Sequence, residues 1–179
     1  MGRLKQLLPY RGRTLLEHAI YAAMETGFGP IIVVVGAQAD AVAGVIAAQP
    51  VELVRNDVWE SGMGSSIAAG MRHLESRALD GVAMLLADQP LVTAAHLRAM
   101  AELLEETHLP MVAAEYHGTL GVPALFRSEI FPSLSALTPE AGARHLLRGS
   151  PDRIAVFPLP EAAMDIDTPE DLEALNAAP

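Results

Sequence analysis

Residues 82–90 read VAMLLADQP, a six-residue apolar run that stops at a carboxylate, a carboxamide and a proline. A Val/Met/Leu run without alternation suits a strand buried on both faces, the kind that sits centrally in a parallel sheet covered by helices. The fold class is therefore α/β. Asp88 lies at the carboxyl end of that strand, the edge where open α/β sheets bind ligands. By position alone it serves equally well as a ligand for a metal or polar substrate, or as an acidic residue capping the next turn.

On the N-terminal side, Thr14 with Glu17 three residues on reads as a capped helix start, and Leu15, Leu16, Ala19, Ile20, Ala23 and Met24 form one apolar stripe that ends at Gly27. Residues 31–35, IIVVV, form a buried strand, followed by an Ala-rich helix over 39–48 and a short strand over 51–54. This is a βαβ unit with a right-handed crossover. Gly62-Met63-Gly64-Ser65-Ser66 then runs into a helix carrying Ile67, Met71 and Leu74. Glycines there let a phosphate or carboxylate approach free amides, although an ordinary Ser-capped helix entered through a flexible turn reads the same way. On the C-terminal side, Thr93 caps a helix to Thr107. Two short strands flank Tyr116-His117-Gly118-Thr119 and pair antiparallel. Helices over 128–137 and 140–148 follow, then a strand over 153–157. The last helix opens at Thr168-Pro169.

Composition narrows the function. The 179 residues form one domain of ordinary size, with 51% apolar residues and a net charge of −10, which argues against a grip on nucleic acid through phosphate neutralisation. There is no cysteine, hence neither disulfides nor thiolate zinc sites. No apolar stretch approaches the roughly 20 residues of a membrane span. With no signal peptide ahead of the first helix, the expected compartment is the cytoplasm.

Chemistry concentrates in two acidic clusters, Asp88 and the pair Asp165/Asp167. Asp-Ile-Asp in extended conformation points both carboxylates to one face, and one of them could join Asp88 on Mg²⁺, which takes one or two carboxylates and leaves positions for substrate phosphates. The pair also suits a helix N-terminus, although Thr168 already caps it. The histidines lack zinc-ligand spacing; His18, His73 and His145 read as surface residues, and His117, in the turn before Gly118, reads first as a surface turn residue and second as one that touches a ligand. No nucleophile elbow, Walker loop or GxGxxG is present.

Read together, GRLKQLLPYRGRTLLEHAI, NDVWESGMGSSIAAGM, LLADQPLV, GVPALF, EAGARHLL and DIDTPEDL resemble the MobA-like NTP transferases, most closely their molybdenum cofactor cytidylyltransferase branch, in the same order from end to end. The resemblance implies a single nucleotidyltransferase domain over 1–179 with a three-layer, Rossmann-like, mixed but mostly parallel sheet of the nucleotide-diphospho-sugar transferase type. It implies that Asp88 and Asp167 bind Mg²⁺, with Asp165 as a helper, and that Lys5 contacts phosphates. Gly62, Gly64, Ser65 and Ser66 match the loop receiving the nucleotide or pterin phosphate, Gln89 joins the substrate-binding set beside Asp88, and Gly121 and Pro123 match the acceptor pocket. The implied reaction moves a nucleoside monophosphate from CTP to the terminal phosphate of molybdopterin and releases pyrophosphate. A molybdoenzyme maturation factor is the implied protein partner, and neither nucleic acid nor membrane is expected.

Two departures qualify the resemblance. The family opens with a strand and a loop of the type LAAGxSxRMGxxK, and this sequence starts at its Met-Gly. The sheet is accordingly expected to lack its first central strand, between residues 31–35 and 82–87, leaving unpaired backbone on both. Val122 stands where relatives often carry histidine, which bears on the acceptor. GTP or a sugar phosphate are alternatives within the class, and a catalytically silent nucleotide- or pterin-binding module is the alternative outside it. A receiver-type module phosphorylated on Asp88 would leave the GMGSS loop and the acidic pair unused.

Overall fold

The computed structural model describes residues 4–164; Asp165, Asp167 and the Thr168 cap lie outside the described residues. The chain opens with a 3-10 turn, Lys5–Leu7, and a small hairpin of β1 (Pro9–Tyr10) and β2 (Arg13–Thr14). No strand was expected here. Its turn uses Arg11 and Gly12 at positive φ, 44° and 84°, the pairing of left-handed residues that suits a two-residue hairpin loop. Helix α1 (Leu15–Thr26) begins as the sequence predicts. The Glu17 amide donates to Thr14 Oγ1 at 3.2 Å, the Thr14 amide donates to the Glu17 carboxylate at 2.7 Å, and left-handed Gly27 ends the helix.

Strand β3 (Ile32–Val35), helix α2 (Ala39–Ile46) and strand β4 (Glu52–Arg55) form the expected βαβ unit, with β3 and β4 parallel. Helix α3 (Met63–Leu74) leads to β5 (Gly81–Met84), and α4 (Ala94–Thr107), capped by Thr93, leads to β6 (Met111–Tyr116) and β7 (Thr119–Arg127). Short helices α5 (Phe131–Ser135) and α6 (Ala143–Arg148) precede β8 (Ile154–Pro158). The order of the larger sheet is β5-β7-β6-β8, with β7 antiparallel to both neighbours and β6 parallel to β8.

Side-chain alternation along β6 divides the core into two layers. Val112 and Ala114 pack with Leu97, Met100 and Leu104 of α4, while Met111 and Ala113 pack with Met71 of α3, Leu134 of α5 and Leu147 of α6. A third cluster joins α1 and α2 over β3 through Leu16, Ile20, Val35, Val42 and Ile46. The result is a mixed α/β arrangement with helices packed on both faces of the larger sheet.

Two expectations need correction. Residues 82–87 and 31–35 were read as strands buried on both faces. Yet β5 ends at Met84 with Val82, Ala83 and Met84 half-buried, and only Val35 of β3 is buried. The reason is a break in the sheet: among the described residues β3 pairs only with β4, and β5 only with β7. Residues 138–142 are also not the start of a helix; they form a loop that α3 packs against, and α6 starts at Ala143. No helix among the described residues is long and apolar enough to cross a membrane.

Candidate active site

The break between β3 and β5 opens as a cleft of about 250 Å³. Val33, Val35 and Gly36 line one side, Leu86, Ala87 and Asp88 the other, and Lys5 joins them from the 3-10 turn. Lys5 Nζ lies 2.7 Å from Asp88 Oδ2. These two residues, 83 positions apart in the chain, are the ones that the family resemblance implies for phosphate and metal. The ammonium is about a third exposed and the carboxylate 19% exposed, so the pair is accessible from the cleft.

The carboxylate is only half used. Asp88 Oδ1 is buried and has no hydrogen-bond partner among the described residues. A buried acceptor without a donor is costly, and a hard anionic oxygen beside a cleft is the donor type that Mg²⁺ or Mn²⁺ takes. Asp88 alone does not complete such a site: the described residues contain no cluster of three or more carboxylates, histidines or cysteines.

Gln89 points the other way. It is 2% exposed, and its amide nitrogen donates to the Ala162 carbonyl at 2.8 Å, the Val122 carbonyl at 3.1 Å and the Tyr116 hydroxyl at 3.4 Å. Tyr116 in turn donates to the Val122 carbonyl at 3.1 Å. Gly121 makes room for this: a Cβ there would collide with the Tyr116 hydroxyl. Pro123, which follows a cis peptide bond, is fully buried. Gln89, Gly121 and Pro123 thus form the packed support behind Asp88 and tie its turn to β7 and to the residues just before the acidic pair.

The glycine-serine loop is equally committed to its own support. The Gly64 amide donates to the Pro139 carbonyl at 2.8 Å. A Cβ on Gly62 would stand 2.5 Å from that carbonyl oxygen, and one on Gly64 would collide with the Thr138 carbonyl. These glycines let α3 enter against the 138–142 loop. Ser65 and Ser66 Oγ accept from Asn56 Nδ2 at 2.8 and 3.0 Å, and Ser65 donates to the Gly62 carbonyl at 2.7 Å. Sequence reasoning passed over Asn56, which is 3% exposed; an Asn at a strand's carboxyl end, ahead of a serine pair, is the signal that could have found it.

His18 and His73, read as solvated, have partners: His18 Nε2 lies 2.8 Å from the Tyr10 carbonyl and His73 Nε2 2.7 Å from Glu52. Arg77 also holds Glu52, at 2.8 and 2.5 Å. Its hydrogen bonds, then those of His73, pull the Glu52 carboxyl down to about 2.

Comparison with known proteins agrees with this architecture. A family model described as the MobA-like NTP transferase domain matches residues 1–154. The chain is 30% identical to the purine catabolism protein PucB of Bacillus subtilis, over 99% of this chain and 90% of that protein. It is also 30% identical to the nicotine blue oxidoreductase of Paenarthrobacter nicotinovorans, over 96% and 87%. The crystal structure of Rv0371C from Mycobacterium tuberculosis in complex with manganese superposes with a TM-score of 0.81 at 27% identity, covering 99% of this chain and 94% of that one.

Proposed function

Because the chain belongs to the MobA-like NTP transferase family and is a nucleotidyltransferase-like enzyme, we propose that it transfers a nucleoside monophosphate from CTP to the terminal phosphate of molybdopterin. An oxygen of the acceptor phosphate attacks the α-phosphorus in line. The bond from the α-phosphorus to the α–β bridging oxygen breaks, and pyrophosphate leaves with that oxygen and its electron pair. No protein nucleophile is needed.

The observation that carries the reading is the Lys5–Asp88 pair in the cleft. Lys5 is positioned to place its ammonium on the triphosphate, where charge develops, in a site partly shielded from water. Asp88 orients Lys5 through Oδ2 and keeps Oδ1 for a divalent cation, with Asp167 and Asp165 as the further ligands. When bound, that cation supplies charge neutralisation and alignment of the phosphates. The mycobacterial structure with manganese supports divalent metal use, and Mg²⁺ is the proposed ion. Within the Gly62–Ser66 loop the part-exposed Ser66 is the group left to meet the nucleotide or pterin phosphate, since the Gly64 amide and Ser65 are held by Pro139, Asn56 and Gly62. The segment around Gly121 forms the acceptor side.

The test is pyrophosphate release by the purified protein with Mg²⁺, molybdopterin and CTP, with GTP and a sugar phosphate run in parallel. Turnover with CTP is expected, and no turnover with any nucleoside triphosphate would sink the reading. Tight CTP or pterin binding without turnover would favour the silent binding module instead.

A further inference from the structure

Trp59 is the single tryptophan of the chain and is 42% exposed. It does not stand alone. Val58 is 60% exposed and Met63 56%, so three of the seven exposed large hydrophobics among the described residues fall within residues 58–63. Scattered apolar side chains on a surface need no explanation, whereas a cluster beside a cleft that holds a lysine–aspartate pair marks a binding surface.

The segment is exposed but held in place. Asn56 Oδ1 accepts the Val58 amide at 3.2 Å, Ser61 Oγ donates to the Val58 carbonyl at 2.6 Å, and the Gly62 amide donates to the Trp59 carbonyl at 3.1 Å. The indole leans on Gly36, where any Cβ would collide with Trp59 Cβ and Cγ. Gly36 also lines the cleft that holds Lys5 and Asp88. The indole therefore stands at the rim of that cleft, on a loop whose ordering cost is already met by folding.

The geometry points to Trp59 as the stacking platform for a planar heteroaromatic ring whose phosphate end reaches Lys5. A flat π face selects another flat ring over an aliphatic one, and an exposed aromatic residue on a braced loop loses little freedom when the ring docks. The phosphate end of this inference rests on the nucleotidyltransferase reading; the ring end does not. Two sources share this chemistry, the base of the nucleotide and the fused ring of the acceptor.

The experiment measures binding by calorimetry to wild type, Trp59→Leu and Trp59→Phe, with CTP, a pterin and inorganic tripolyphosphate as probes. Trp59→Leu is expected to weaken one ring-bearing probe about tenfold, within the range known for base–aromatic stacking, and Trp59→Phe to restore most of it. Tripolyphosphate, which has charge and no ring, should bind all three proteins alike. Loss confined to CTP assigns the nucleotide base, and loss confined to the pterin assigns the acceptor. Equal binding of both ring probes to wild type and Trp59→Leu overturns the inference, as does a parallel loss for tripolyphosphate or the absence of any ring binding. Trp59-dependent pterin binding in a protein that releases no pyrophosphate would keep the platform and remove the transferase reading.

Discussion

Replacing Gln89 with leucine tests whether this residue serves the fold or the substrate. The wild-type amide nitrogen serves the Ala162 and Val122 carbonyls in a site where Gln89 is 2% exposed. In Gln89→Leu the Val122 carbonyl keeps the Tyr116 hydroxyl, so Ala162 is the acceptor that loses its side-chain donor. A buried acceptor stripped of its donor costs about 1–3 kcal/mol. Part of this returns, because Gln89 Oε1 is itself buried without a partner among the described residues, and deleting it removes a desolvated group at a gain on the order of 1 kcal/mol. The net loss is at most about 2 kcal/mol, or a fall in Tm of up to roughly 8 °C for a domain of this size. Gln89→Glu keeps the shape but turns the donor into an acid facing carbonyl oxygens. Burial and those oxygens disfavour its ionised form, so its folded pKa is raised, and its stability should fall further as pH rises from 5 to 8. Thermal and urea denaturation across that range measure both. A Gln89→Leu protein as stable as wild type but with a raised KM would refute this account and return Gln89 to the substrate.

Lys5→Met should lower kcat about a hundredfold or more, since a cation placed on developing phosphate charge is the kind of interaction worth that much. Thermal stability should fall as well, because Asp88 is only 19% exposed and loses the partner of Oδ2, so kcat is to be measured per folded protein. Gly64→Ala should cost about 3 kcal/mol or more in urea denaturation, because the new methyl group meets the Thr138 carbonyl and stands 2.5 Å from that of Ala141. Gly44→Ala, with nothing within 4 Å in the exposed middle of α2, should instead stabilise by about 0.5–1 kcal/mol. Glu52, with its carboxyl at about 2 against an ordinary 4.5, should stabilise the fold fully above pH 4.5 and lose that contribution as pH falls toward 2. The stability gap between wild type and Glu52→Gln should be small, because solvent screens the site, and should close over that window.

Much of the local structure was legible because the interactions that decide it span four residues or fewer. Thr14 and Glu17 announce a capping box, Gly27 a left-handed helix end, and Tyr116-His117-Gly118-Thr119 a tight connection with positive φ at His117 and Gly118. The β1–β2 hairpin was missed because two-residue strands leave no periodicity to read. A run such as IIVVV reports what a strand can bury, whereas its neighbours decide what it does bury; the gap expected between residues 31–35 and 82–87 is what leaves β3 and β5 half-buried.

Asp88 was identifiable as a candidate from residue type and position at the end of an apolar run, and Lys5 only through the resemblance of the N-terminal stretch to the family. That the two meet at 2.7 Å, that neighbouring Gln89 turns into the core instead, and that Gly62 and Gly64 serve the approach of residues 138–142 are facts of tertiary structure. The sequence by itself determined most of the helices and strands, the capped starts of α1 and α4 and the identity of the charged groups, through hydrogen bonds and steric rules acting over a few residues. Only the folded chain decided which groups share a cleft, because each such contact joins segments tens of residues apart and depends on the packing of everything between them.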